Sequence, residues 1–299
     1  MAYRYRRTIL TPEIKKILEK AEAERRISER KYSNMLRKMV REIQKLMGNA
    51  TSMTVAMKEL NAYMNSADFK RFARLASERM ATNSAAGIHR TWKEAAKASG
   101  RGKDIYKAIS KELTGTATGR AVQDIVYRNS LLIKTVPHNV AEDLSKTANE
   151  MTRRGLRWED ISAEIQEKCV GLAKHEVNRI ARTESAKATT ALLQARCQDV
   201  GVDWYIWGSC KDERVRDSHK FMEGIVCRWS DPPNPEALSG KGQIRNSYHP
   251  GGVYNCRCVA LPITDVRLMS FPCRVHVSGK LVTIRTEAEF RKKFLGDGE

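Results

Sequence analysis

The chain has 299 residues, 54 Lys and Arg against 35 Asp and Glu, and a formal net charge of +19. That length can bury a sizeable core and suggests two domains, while so basic a balance points to a polyanion, nucleic acid or an acidic protein surface, as partner. No stretch approaches the ~20 apolar residues a membrane span needs, Met1 to Leu10 lacks the apolar run of a secretory signal, and seven unevenly spaced cysteines argue against a disulfide framework.

Residues 1–202 carry 39 basic against 23 acidic side chains, a net of +16, whereas residues 203–299 carry 15 against 12, a net of +3. Any electrostatic grip therefore belongs to the first part. Thr11-Pro12-Glu13 reads as a helix start, with Thr11 as cap and Pro12 pre-set for the first turn. Ile14, Ile17, Leu18 and Ala21, then Tyr32, Met35, Leu36, Met39, Val40, Ile43, Leu46 and Met47, recur at helical spacing. One long helix, or two in line, is expected. Arg25, Arg26, Arg37, Lys38, Arg41 and Lys45 fill its other face, the candidate contact for nucleic acid or an acidic protein surface.

Residues 50–135 read as shorter helices with breaks at Asn65-Ser66, Asn83-Ser84, Ser99 to Gly102 and Thr114 to Gly119, and Gly100 to Lys103 as an internal hinge. Pro137 is expected to open the next unit: an amphipathic helix over 139–154, a short one from Trp158 to about Lys168, and a long one from about Ala173 to Val200. Past Gly201 the composition changes. Strands are expected at Trp204–Trp207, Ile225–Arg228, Arg257–Pro262 and Leu281–Ile284, with a closing helix over 287–295. The fold class expected is mainly α, a basic helical region (1–136) followed by a module (137–299) of helices (137–201) and a small, loop-rich α+β unit (202–299). Such units commonly need a metal or extra linkages.

Chemistry concentrates between Glu184 and Cys258. Glu184 shares the apolar stripe of its helix, where a carboxylate needs a cation; Arg214, Arg216 and Arg257 are the candidates, and Arg182 points off the stripe. Asp212, Arg214, Arg216 and Asp217 read best as ion pairs tying a loop. Cys210, His219, Cys227, His249, Cys256 and Cys258 are soft ligands that suit tetrahedral zinc. Two readings stay open: a structural zinc on four of the six, or free buried thiols with loop histidines. For zinc the expected set is His219, His249, Cys256 and Cys258, with Cys210 and Cys227 as alternates; Cys169, Cys197 and Cys273 read as core residues. No phosphate-cradling loop, nucleophile elbow or His-Glu-x-x-His helix is present, so no enzyme is expected.

In order, Ile-Ala-Arg-Thr-Glu (180–184), Asp-x-Arg-x-Arg-x-x-His (212–219), His-Pro-Gly (249–251) and Asn-Cys-Arg-Cys (255–258) resemble the phage Mu F-like family of minor head proteins, the phage head morphogenesis family, over roughly residues 137–262. The resemblance carries Arg182, Thr183, Glu184, Asp212, Arg214, Arg216, His219, Asn255, Cys256 and Cys258 over as signature positions. Here His249-Pro250 is separated from Asn255 by four residues, unlike the commoner Pro-x-His-Pro-Asn-Cys-Arg-Cys ending. It implies a structural protein of a tailed phage or prophage, found in the virion head and in the host cytoplasm during assembly. Portal, scaffold or capsid proteins, and nucleic acid, would be its partners; no membrane is expected. The alternative is a metal-dependent enzyme acting on nucleic acid or protein, with Glu184 and Asp212 as its acid/base groups and His219 with the cysteine pair holding zinc.

Overall fold

The computed structural model describes residues 10–98, 117–154, 158–243 and 246–296. The fold is mainly helical, long helices preceding a small five-stranded sheet. The helices are α1 (Pro12–Asn49), α2 (Met53–Asn65), α3 (Ala67–Ala98), α4 (Ala117–Arg153) and α5 (Trp158–Asp199). Then come β1 (Trp204–Gly208), α6 (Asp217–Phe221), β2 (Val226–Arg228), α7 (Pro235–Ser239), β3 (Val259–Pro262), β4 (Cys273–Val277), β5 (Lys280–Ile284) and α8 (Glu287–Phe294). No described helix is long and apolar enough to cross a membrane.

The start of α1 is as expected: Thr11 Oγ1 accepts from the Ile14 amide at 3.2 Å, and one uninterrupted helix follows. The α2–α3 break also falls at Asn65-Ser66, where Ser66 Oγ accepts from the Phe69 amide at 3.1 Å. Three expected breaks are absent. α3 runs through Asn83-Ser84 and past Gly87, with Met80, Ala81, Ser84 and Ile88 buried along that stretch. Pro137 sits inside α4. A mid-helix proline costs about 3 kcal/mol, and burial of Ile133, Val136, Val140, Ala141 and Leu144 along that stretch offsets it. α5 likewise runs unbroken past Gly171, with Ile165, Cys169, Ala173 and Val177 buried in register. The expected hinge at Gly100 to Lys103 lies outside the described residues.

The chain forms two compact units, Met1–Ile27 with Ser84–Ala121 and Ala186–Glu299, and Ser28–Asn83 with Val122–Ser185. The second unit is helical. Tyr32, Leu36, Met39, Ile43, Met47, Leu60, Phe69, Met80 and Ile133 are among its buried side chains, so Met39 and Met47 of α1 are core while Met35 is half-buried. Tyr32 also meets Asn129 at 3.4 Å, and Ser33 meets Asn178 at 3.0 Å.

The first unit holds the sheet, in the order β3-β1-β2-β4-β5. β1 pairs antiparallel with β2 and β3, β2 lies parallel to β4, and β4–β5 is a hairpin. β4 was not expected from the sequence, although Cys273, Val275 and Val277 alternate with Arg274 and His276. Alternation along β1 divides labour between the two faces of the sheet. Trp204 and Ile206 join a core with Leu10, Ile14, Ile17 and Leu18 from the start of the chain and Phe290 of α8. The Trp204 and Phe290 rings meet edge-on at 5.5 Å. Tyr205 and Trp207 point the other way, toward His249 and His219.

Candidate functional site

Three loops reach the second face of β1. α6 carries Ser218 and His219, α7 carries Glu236, and the segment before β3 carries Tyr248, Cys256 and Cys258. α7 is short but well begun: Asn234 Oδ1 accepts from the Ala237 amide at 3.1 Å, and Pro235 occupies the first turn. Asn255 adopts φ +56, a left-handed turn that asparagine tolerates better than most residues, and the thiols of Cys256 and Cys258 just beyond it end up buried. Gly251, at φ +80, brings the loop against α5: a Cβ there would lie 3.0 Å from the Ala186 carbonyl and from Thr190 Oγ1. Thr190 Oγ1 in turn donates to the Pro250 carbonyl.

The cysteines converge on His219. Its Nδ1 lies 3.5 Å from Cys256 Sγ and 3.4 Å from Cys258 Sγ. The three ligand atoms lie within 4.8 Å of one another, and all three residues are buried. Behind the ring, Nε2 is 2.9 Å from the Tyr248 hydroxyl, which donates to Glu236 at 2.7 and 2.8 Å. Ser218 also donates to Glu236, at 3.1 Å. The Trp207 indole closes the site edge-on to His219 at 5.6 Å.

The electrostatics are those of two thiols competing for one negative charge. Cys256 is held well below the usual thiol range, first by the hydrogen bond from Cys258 and then by His219, against the pull of burial. Cys258 is pushed well above it by the same neighbour and by burial. A divalent cation would favour both thiolates together. One imidazole nitrogen and two thiols, buried and mutually close, fit the N/S donor chemistry of zinc.

His249 is not part of this group, which corrects the expected ligand set. Its Nδ1 faces the Tyr205 hydroxyl at 3.0 Å, and its ring packs on Tyr205 and on Trp229 at 5.5 and 5.1 Å. Burial drives its pKa down to about 4, so the ring is neutral. The turn closed by the Gly252 amide on the His249 carbonyl, at 2.9 Å, separates it from Cys256. Cys227 also lies outside the cluster, its thiol on the Ile225 carbonyl at 3.9 Å. Cys210 is outside it too, yet near enough for its charge to raise Cys258. Cys169, Cys197 and Cys273 are buried free thiols.

Asp212 forms an ion pair with Arg257, a residue outside the expected charge cluster, with one N–O distance of 2.7 Å. Burial alone would raise the Asp212 carboxyl, but the Arg257 guanidinium outweighs it and holds the group below the usual carboxylate range. Arg216 donates to the Tyr254 carbonyl at 2.9 Å, and the Arg214 amide to Asp212 at 3.1 Å. In the second unit, Glu184 is half-buried and its charge helps raise the Tyr32 phenol, after burial. There Arg182 pairs with Glu29 at 3.3 Å, and Thr183 is buried.

On α1, Arg26, Arg37, Lys38, Arg41 and Lys45 keep to the outer face, Arg26 pairing with Glu22 at 2.6 Å. Arg25 departs from that face. It is buried, lining a small cavity with Thr91 and Trp92. Sequence reasoning missed Glu236 and Tyr248. The available signal was an acid directly after Pro235 and a tyrosine directly before His249, both inside the stretch bounded by the candidate ligands.

A buried imidazole–dithiol cluster with a carboxylate–phenol support defines a loop-built module with a soft-ligand centre. Residues 142–261 match the model of the family described as Phage Mu protein F like protein, the family that the ordered motifs resemble. A Haemophilus influenzae protein described as uncharacterized is 32% identical over 147 residues, which are 48% of this chain and 30% of that protein. The chain thus spans less than a third of the length of the curated relative it matches. No solved structure matches.

Proposed function

We propose that the protein is a minor head protein of a tailed phage or prophage, acting in head morphogenesis at the portal or procapsid. The observation that carries this reading is the family match over residues 142–261, which spans the His219 and Cys256-Cys258 motifs. The protein would reside in the virion head, after assembly with portal, scaffold or capsid proteins in the host cytoplasm. The outward-facing cations of α1 support contact with nucleic acid or an acidic portal surface.

The cluster would hold one structural zinc through His219 Nδ1 and the thiolates of Cys256 and Cys258. Cys210 is the candidate for the fourth position. Bound there, the metal supplies cross-linking of loops in a unit with few aliphatic residues. No observation favours the enzyme alternative: one of its acid/base groups, Asp212, is held by Arg257 and lies outside the cluster.

Two measurements test the reading. Mass spectrometry of gradient-purified heads from the encoding phage or induced prophage should find the protein at a few copies per portal. Absence from both heads and procapsids would overturn the head assignment. Elemental analysis of the purified chain should find about one zinc, lost together with thermal stability in Cys256→Ser/Cys258→Ser. A metal-free wild type would leave the cysteines as packing residues.

A further inference from the structure

A surface of the second unit is explained neither by the family match nor by the His-Cys-Cys cluster. α3 and α4 leave an open groove between them, with Val122, Val126 and Tyr127 along one wall. It continues along α3 past Leu75. Tyr127 is 65% exposed, Leu131 one turn further on is 45% exposed, and Leu75 is 44% exposed. A single exposed leucine needs no explanation, but Tyr127 and Leu75, exposed on two adjoining helices and lining one groove with Val122 and Val126, mark a contact surface.

The groove's charge is one-sided. Lys70 and Arg74 of α3 and Lys134 of α4 line it, with Arg71 alongside. Glu78 is the acid in the lining, and Arg74 takes it at 2.8 Å. Lys70, Arg71 and Lys134 then face a partner.

We infer that this groove receives an acidic amphipathic helix of a protein partner. Two helices with an apolar channel between them offer the ridges and grooves that a third helix packs into, its apolar anchors at the spacing of one and two turns. The cationic rim matches carboxylates flanking those anchors. A second copy fits poorly: a twofold pairing through this surface would set Lys70, Arg71 and Lys134 against their own like charges, on a chain of net charge +19. Nucleic acid also fits poorly, because its phosphates would meet Leu75, Tyr127 and the two valines. The inference stands apart from the head-protein reading and needs no metal.

The test uses the full chain and a fluorescent, helix-forming peptide of about 20 residues, with leucines at i, i+3, i+4 and i+7 and glutamates elsewhere. Anisotropy should show micromolar binding that weakens about tenfold or more in Tyr127→Asp and in Lys70→Glu/Lys134→Glu, with melting temperature unchanged. The same peptide carrying lysines for glutamates should not bind wild type and should gain affinity for Lys70→Glu/Lys134→Glu. Failure of the acidic peptide to bind, or equal binding to the variants, overturns the inference. So does a duplex DNA probe that loses affinity in the same variants while the peptide does not, or a dimer in sedimentation that Tyr127→Asp dissolves.

Discussion

The hydroxyl of Tyr248 lies 2.9 Å from Nε2 of His219, and this pairing decides which ring nitrogen His219 has to spare. A phenol has one proton, and Tyr248 gives it to Glu236. It must therefore accept from His219, which places the ring proton on Nε2 and leaves the Nδ1 lone pair facing the two thiols. The relay sets the tautomer a metal ligand needs.

Tyr248→Phe and Glu236→Gln should both weaken zinc binding, by about ten- to a hundredfold, in a competition titration with a chromophoric chelator. Tyr248→Phe should also lower stability by about 1–3 kcal/mol, because it deprives a buried carboxylate of a donor and a buried N–H of its acceptor. If both variants hold zinc as tightly as wild type, the relay does not orient the ligand.

His249 should make the fold acid-sensitive. Its folded pKa, about 4, lies below the ordinary histidine value of 6.5. A base with a depressed folded pKa costs nothing above pH 6.5. Below it the unfolded chain takes up the proton first, so stability falls from pH 6.5 to about 4 and then levels, a loss of order 2–3 kcal/mol. His249→Phe keeps the packing on Trp229 and should flatten that part of a urea-melt pH profile. An unchanged profile would place the acid sensitivity elsewhere, His276 being the next candidate, as burial lowers it too.

Gly251→Ala should destabilise by more than Gly279→Ala. The two glycines share nearly the same φ, +80 and +78, but a Cβ at Gly279 meets open space whereas one at Gly251 meets α5 at 3.0 Å. Backbone strain alone costs about 1 kcal/mol, and the collision should at least double it in urea unfolding. Equal costs would mean that α5 yields.

DNA affinity, measured by anisotropy, should fall steeply with salt. Reversing Arg37, Lys38, Arg41 and Lys45 to glutamate should shallow the log–log slope by about 0.9 for each phosphate the chain no longer neutralises. Arg25→Ala should leave that slope alone and lower stability by about 2 kcal/mol, since Arg25 is buried. A slope untouched by the fourfold reversal would move the polyanion surface off α1.

The stripe of α1, the strand at Trp204 and the convergence of His219 with Cys256 and Cys258 were legible because periodicity and ligand chemistry are local signals. Pro137 misled for a related reason: it is a local breaker, and what overrides it is the burial of side chains against helices distant in sequence. His249 was drawn into the ligand set by its chemistry. Which way its ring turns depends on Tyr205, 44 residues earlier in the chain. Glu236 and Tyr248 show no spacing that pairs them with His219; only the fold places them behind its ring.

The sheet order has a topological consequence. The chain leaves β2 at Arg228 and returns at Cys273 to lie beside the same strand. The segment between, which carries Glu236, Tyr248, Cys256 and Cys258 and adds β3 to the far side of β1, has its two ends pinned side by side. Lys241, Gly242 and Gln243 are exposed at its rim, beyond the cap of α7. Trypsin should nick the chain there, and the two fragments should stay associated through the sheet. Split at that point, the protein becomes a two-piece complement whose reassembly depends on β3 finding β1 and β4 finding β2.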